Sequence, residues 1–147
     1  MIARPFHQFL RLSPNDRSLL TRSVVLVAGA RLALWVLPFN VARRLLTPAT
    51  TRRSPSPSAT TERIGWAVSV AKHFVPKGNC LPQALAAESL LLRFGHSVEF
   101  RIGVLKSDRD RLEAHAWVVS GGRLVVGDLT QGLSAYSPLP PLPGPKV

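Results

Sequence analysis

Residues 78–95 read GNCLPQALAAESLLLRFG and hold the chain's one cysteine, Cys80, directly ahead of a run with helical periodicity. Leu81, Ala84, Leu85, Leu91 and Leu92 recur at helical spacing and predict a helix seated against a core. Pro82 suits a first helical turn but disfavours helical backbone at Leu81, so the predicted cap is Cys80 or Leu81. In both placements the sulfur lies near backbone N–H groups that lack an intrahelical acceptor, at the positive end of the helix dipole. Thiols activated in this way have pKa values of roughly 3.5 to 7.5. A lone cysteine is more often a small buried hydrophobe, so its position alone does not separate an activated thiol from an inert one.

The sequence on either side supplies the rest of a domain. Upstream, Glu62 to Phe74 puts Ile64, Ala67, Val68, Ala71 and Phe74 on one helical face, and Pro76-Lys77-Gly78 breaks that helix. Downstream, SVEFRIGVLK (97–106) alternates with Val98, Phe100, Ile102 and Val104 on one face, the pattern of a half-buried strand. The polar run SDRDRLE (107–113) predicts a loop, followed by AHAWVVS, a Gly121-Gly122 pair and RLVVGD. Two β-rich runs joined by a glycine pair predict a hairpin. The closing SPLPPLPGPKV predicts an extended, mobile tail that is neither helix nor central strand; its PxxP pattern can also be read as a ligand for a polyproline-binding groove.

Ahead of this block, LLTRSVVLVAGARLALWVL (19–37) is apolar but interrupted by Arg22 and Arg31 and closed by Pro38. Its uninterrupted apolar run, Val24 to Ala30, is short of the roughly 20 residues of a membrane span, which predicts a core or docking helix. Ser13-Pro14-Asn15-Asp16 is a helix-start signal. The charged region ahead of the apolar run is long and no small-residue cleavage site is clear, which argues against a signal peptide. TPATTRRSPSPSATT (47–61) reads as a Ser/Thr/Pro-rich linker. The expected organisation is a helical segment at 1–46, a linker at 47–61, a catalytic core at 62–137 and a Pro-rich tail at 138–147.

Composition narrows the class. A chain of 147 residues builds one modest core, and a hydrophobic share of 46% excludes a largely disordered protein. One cysteine excludes an internal disulfide and any thiolate metal cluster, and fits a reducing, cytoplasmic setting. The four histidines, His7, His73, His96 and His115, lack zinc-ligand spacing, so no metal or other cofactor is expected. The net charge of +11 is compatible with an anionic partner or with solvated faces. With one Tyr and no binding motif, nucleic acid is not the expected partner. His73 and His96 read as surface or junction residues, and Asp108, Asp110 and Glu113 as loop charges.

The hairpin changes the weight on Cys80. With Gly121 and Gly122 as a two-residue turn, Ser120 pairs with Arg123, and strict registration then sets His115 opposite Asp128, with Cβ atoms about 5 Å apart. Trp117, Val119, Leu124 and Val126 would share their face and partly desolvate them. An aspartate there can hold an imidazole in one tautomer, as the third member of a nucleophile, base and orienter set. One residue of slip would reverse the faces.

Cys80, His115 and Asp128, in that order, resemble the transglutaminase-like and papain-like cysteine enzymes. More narrowly, GNCLPQAL, LLLRFGHSVEFRIGV and AHAWVV with its glycine turn and VVGDL resemble the leader peptidases of lasso-peptide biosynthesis. The resemblance covers about Glu62 to Tyr136, and LSPNDRSLL with its apolar helix is similar to the segment preceding the core in that family. It implies an α+β, transglutaminase-like core with the catalytic Cys at a helix N-terminus packed on a small antiparallel sheet, preceded by a helical segment. By the same resemblance, Cys80 is the nucleophile, His115 the general base and acid, and Asp128 the orienter. Where papain-like enzymes place an oxyanion-binding glutamine, Phe74 stands here. That leaves the Cys80 backbone N–H as the leading donor, with Asn79 and Gln83 as further candidates or merely a loop cap and a solvated helix residue. Trp117 reads as core or as a substrate contact. The implied activity is removal of the leader from a precursor peptide by a stand-alone protease subunit. Its partners would be that precursor, a separate leader-recognition protein and a lasso-forming cyclase. The alternatives are acyl transfer to an amine on the same scaffold, a non-catalytic basic binding module and, for the apolar N-terminal helix, association with a membrane or a membrane-associated complex.

Overall fold

The computed structural model describes residues 8–48, 56–57, 59–75, 80–106, 110–127 and 137–139. Within these, four main helices precede the strands: α1 (Pro14–Val36), α2 (Phe39–Leu46), α3 (Thr61–Ala71) and α4 (Cys80–Arg93). The strands β1 (Glu99–Lys106), β2 (Leu112–Ser120), β3 (Arg123–Val126) and β4 (Ser137–Pro138) form one sheet in the order β3-β2-β1-β4. The architecture is α+β, as expected.

Local chemistry starts the helices where the sequence says it should. Ser13 caps α1, its Oγ accepting from the Asp16 N–H at 3.2 Å, with Pro14 in the first turn. Thr60 caps α3 in the same way through the Arg63 N–H at 3.3 Å. In α3, Ile64, Ala67, Val68 and Ala71 are fully buried, while Phe74 lies beyond the helix end and is half exposed. The sequence pattern had placed Phe74 on the buried face, but the helix stops at Ala71 and the periodicity stops with it.

The segment α4 is the hub of the fold. Every residue from Ala84 to Leu91 is buried, because α1 and α3 pack on one side of it and the strands on the other. Leu81 and Leu92 are half-buried, so the contact surface runs around the helix rather than along one stripe. Such all-round burial draws in polar residues, and each has a partner. The Glu88 carboxylate accepts from Arg43 of α2 at 2.9 Å (Nε to Oε2) and 2.5 Å (Nη2 to Oε1), and Ser89 Oγ donates to the Leu46 carbonyl at 2.7 Å. The Arg43 guanidinium also lies 5.1 Å from the Phe100 ring centroid, so the ion pair rests on the floor of the sheet.

The helix α1 is built into the same core, contributing Leu19, Val27 and Ala30 to the cluster that holds Ile64, Ala84 and Leu90. Its length and composition are sufficient for a membrane span, which counting only the uninterrupted apolar run had not suggested. The outer side keeps large apolar groups exposed, with Trp35 at 84%, Val36 at 71%, Val25 at 65% and Leu32 at 62%.

Three details of the sheet depart from expectation. The strand β2 begins at Leu112, so Leu112 and Glu113 extend the ladder opposite Lys106 and Leu105 instead of ending a loop. Ser137 and Pro138 pair with Val104 and Gly103, and the Leu139 N–H donates to the Ile102 carbonyl at 2.9 Å, so the start of the Pro-rich segment is an edge strand. An edge tolerates proline because its missing N–H faces away from the ladder. The third departure, a bulge in β3, concerns the site. Most of the expected linker, the tail beyond residue 139, residues 76–79 and residues 107–109 lie outside the described residues.

Candidate active site

The chain enters α4 at Cys80, the first helical residue and a half-buried free thiol packed against the core cluster. Pro82 is buried two residues later, consistent with proline in a first turn. The first turn of any helix leaves N–H groups without intrahelical acceptors, so the Cys80 sulfur stands beside main-chain donors.

His115 is on β2, which lies between β1 and β3 and against α4. Alternation along β2 puts Ala116 and Val118 in the cluster facing the helices and His115 and Trp117 on the other face. His115 is 7% exposed and its ring stacks on Trp117, with centroids 6.1 Å apart and planes at 19°. Its Nε2 is 2.8 Å from the Gly127 carbonyl oxygen. A carbonyl can only accept, so Nε2 carries the hydrogen and donates it. In that tautomer Nδ1 is the ring's acceptor nitrogen.

The hairpin that brings Gly127 there follows the expected register for two pairs and then leaves it. Gly121 and Gly122 turn with φ of 56° and 77°, the double left-handed conformation of a two-residue hairpin, and Ser120 pairs with Arg123 and Val119 with Leu124. The next pair is Val118 with Val126, so Val125 is an extra residue in β3. This bulge ends the strict registration from which His115 was expected opposite Asp128. It also moves Val126 from the His115 face into the core opposite Val118, where it is 4% exposed. The reason is visible in α3. A Cβ on Gly65 would stand 2.6 Å from the Val125 carbonyl oxygen, so the missing side chain lets the bulged backbone press against the helix.

Gly127 is the residue that reading the sequence missed. Its φ is +105°, and a Cβ there would lie 2.8 Å from Trp117 Cα and 3.0 Å from the Ala116 carbonyl oxygen. Only glycine satisfies both the dihedral and the approach, and that approach is what sets its carbonyl against His115. The signal in the sequence was a glycine closing a β-rich run immediately before the candidate orienter. Asp128 itself and Asn79 lie outside the described residues. Gln83 is half-buried in the first turn of α4, and Trp117, buried at 5% exposure, stacks on the histidine. His96 has a structural place, its Nε2 lying 2.6 Å from the Ala59 carbonyl oxygen.

The arrangement supplies a thiol at a helix start and an imidazole in a fixed tautomer on a central strand. No curated protein and no solved structure gives a match. A family model does, over residues 24–140, and it spans α1 from its third turn, both halves of the helix–sheet core and the first residues of the Pro-rich segment. The chain belongs to the transglutaminase-like superfamily.

Proposed function

We propose that this protein is a cysteine peptidase that removes the leader from a ribosomally made precursor peptide of the lasso type, working in a reducing cytoplasm. Membership of the superfamily goes with cysteine-protease or acyltransferase-like activity. The observation that carries the reading is that the helix at the centre of that fold begins at the chain's one cysteine.

In the proposed reaction the Cys80 thiol comes within reach of His115, whose Nδ1 takes its proton, and the sulfur attacks the carbonyl carbon at the leader–core junction. The tetrahedral oxyanion is met by the Cys80 backbone N–H, with Asn79 and Gln83 as further donors. The imidazolium returns its proton to the departing amine, leaving the leader as a thioester on Cys80. Water, deprotonated by His115, then releases the leader as a free carboxylate. Asp128 and the Gly127 carbonyl share the task of holding the ring. The second reading, favoured by the superfamily's acyltransferase chemistry, differs only in the last step, where an amine replaces water and a new amide results.

For a partner, the exposed Val25, Leu32, Trp35 and Val36 on the outer side of α1 offer an apolar surface of the kind that marks interaction sites. We assign it to a separate leader-recognition protein, with a lasso-forming cyclase acting on the released core peptide. Mass spectrometry of a candidate precursor incubated with the protein tests the reaction. Cleavage that leaves a carboxylate, and is lost in a folded Cys80→Ala protein, supports it; normal turnover by that variant removes it. Adding the recognition partner should raise cleavage at low precursor concentration far more than at saturation.

A further inference from the structure

A trough of about 440 Å³ runs between α3 and β3. One end is marked by Glu62 and Arg123, whose side chains approach to 3.6 Å. The other is lined by Gly127, the residue whose carbonyl accepts from His115. At about 3.3 Å per residue of strand, the distance from Arg123 to Gly127 is roughly 13 Å, the reach of about four extended residues. Trp66 and Val126 supply apolar walls, and Ser69 a hydroxyl. The Trp66 ring is braced by a cation. The Arg63 guanidinium lies 4.7 Å from its centroid, and Arg63 is in turn anchored on the Asp16 carboxylate of α1, Nε to Oδ1 at 3.0 Å. An indole fixed in this way presents a preformed apolar surface to the trough, the combination of apolar wall and few polar groups that marks a ligand site.

We infer that this trough is the specificity subsite of the enzyme, binding the stretch of about four extended peptide residues next to the scissile bond and placing an uncharged, apolar side chain against Trp66. The inference rests on the peptidase reading for its substrate class, but the trough's position depends only on α3 and the β3 segment through Gly127. Glu62 and Arg123 offset each other's charge at the far end, so a charged side chain gains nothing there, and one set against the indole wall loses hydration.

The probe is a set of decapeptides in an Ala/Ser/Gly background, each carrying one Phe, Leu, Glu or Lys at a single position. With the full chain, cleavage should concentrate on peptides whose Phe or Leu stands at one fixed position within about four residues of the cut, and Glu or Lys there should be rejected. Trp66→Ala should erase that preference and raise KM for the best Phe peptide roughly tenfold with a much smaller change in kcat, the size of one lost apolar side-chain contact. Ser69→Trp, which fills the trough, should raise KM likewise; thermal melting of both variants establishes that they are folded. Separately, hydrogen exchange on the full-length Cys80→Ala protein with the same Phe peptide should show new protection in 61–69 and 123–127. Cleavage with an unaltered Phe or Leu preference in both folded variants, or without protection in those segments, overturns the subsite. Protection without any cleavage by the wild-type chain removes the peptidase reading and leaves the trough as a peptide site. Neither cleavage nor protection overturns both.

Discussion

Replacing Glu88 by alanine tests the packing argument most directly. The Glu88 side chain is 3% exposed and the Arg43 side chain 10%, and the two are joined by a pair of hydrogen bonds, one to each carboxylate oxygen. Were this a surface pair, its loss would cost about 0–1 kcal/mol. Here Glu88→Ala leaves the guanidinium charge over Phe100 without that counter-ion and with little water to replace it, which places the cost at about 3–5 kcal/mol. For a domain of this size each kcal/mol moves the melting point by about 2–4 °C, so the variant should melt roughly 10 °C lower, and its urea midpoint should fall with no change in slope. The double variant Arg43→Met/Glu88→Leu should recover most of the loss, because burying two apolar groups in the same space costs no desolvation of charge. A loss below about 1 kcal/mol in Glu88→Ala, or a double variant no better than the single, would refute the claim that a buried charge joins α2 to the cysteine helix.

Other outcomes follow from the site and the caps. Gly127→Ala should lose roughly 1–3 kcal/mol from its dihedral alone and more from contact with Trp117, and its turnover should fall further than its urea stability, because the carbonyl that holds His115 moves. Nitrogen-15 shifts of the His115 ring report the loss of the Nε2–H tautomer. Asp128→Asn should keep the fold and lower turnover by as much as about 10⁴-fold, measured by product formation at saturating peptide; an unaffected rate would assign the orienting role to the Gly127 carbonyl alone. The Asp16 carboxyl is held below its ordinary value of 3.8, chiefly by its hydrogen bond from Arg63 and then by that from Ser13. Since the folded value is the lower one, this stabilisation is present above the ordinary value and is lost as pH falls through the folded one. The urea midpoints of wild type and Asp16→Asn should therefore differ near neutrality and converge below about pH 4.

What was legible in the sequence was whatever a short window determines. Ser13 announces a helix start, the spacing of Ile64, Ala67, Val68 and Ala71 announces a buried face, and Gly121-Gly122 announces the hairpin. Cys80 at the head of its helix belongs to the same class. What was not legible depends on residues far apart in the chain. The burial of Glu88 needs Arg43, the bulge at Val125 needs the bare backbone of Gly65, and the edge strand at Ser137 needs β1. The orientation of His115 was only half legible. A nearby orienter was expected after β3, yet the described acceptor is a main-chain carbonyl, whose place is set by a register that the glycine turn does not control.

That bulge divides β3 into two parts with different tolerance to change. Arg123 and Leu124 follow the glycine turn, are exposed, and can vary while the hairpin persists. From Val125 onward the backbone is locked between Gly65 and Trp117. An insertion or deletion before Val125 can be absorbed by the turn, whereas one after Val126 carries the Gly127 carbonyl off the histidine while leaving Val126 in the core. Saturation mutagenesis read by activity should thus show an abrupt boundary within a strand of four residues, permissive on one side and intolerant on the other, where a stability screen would show only a gradual slope.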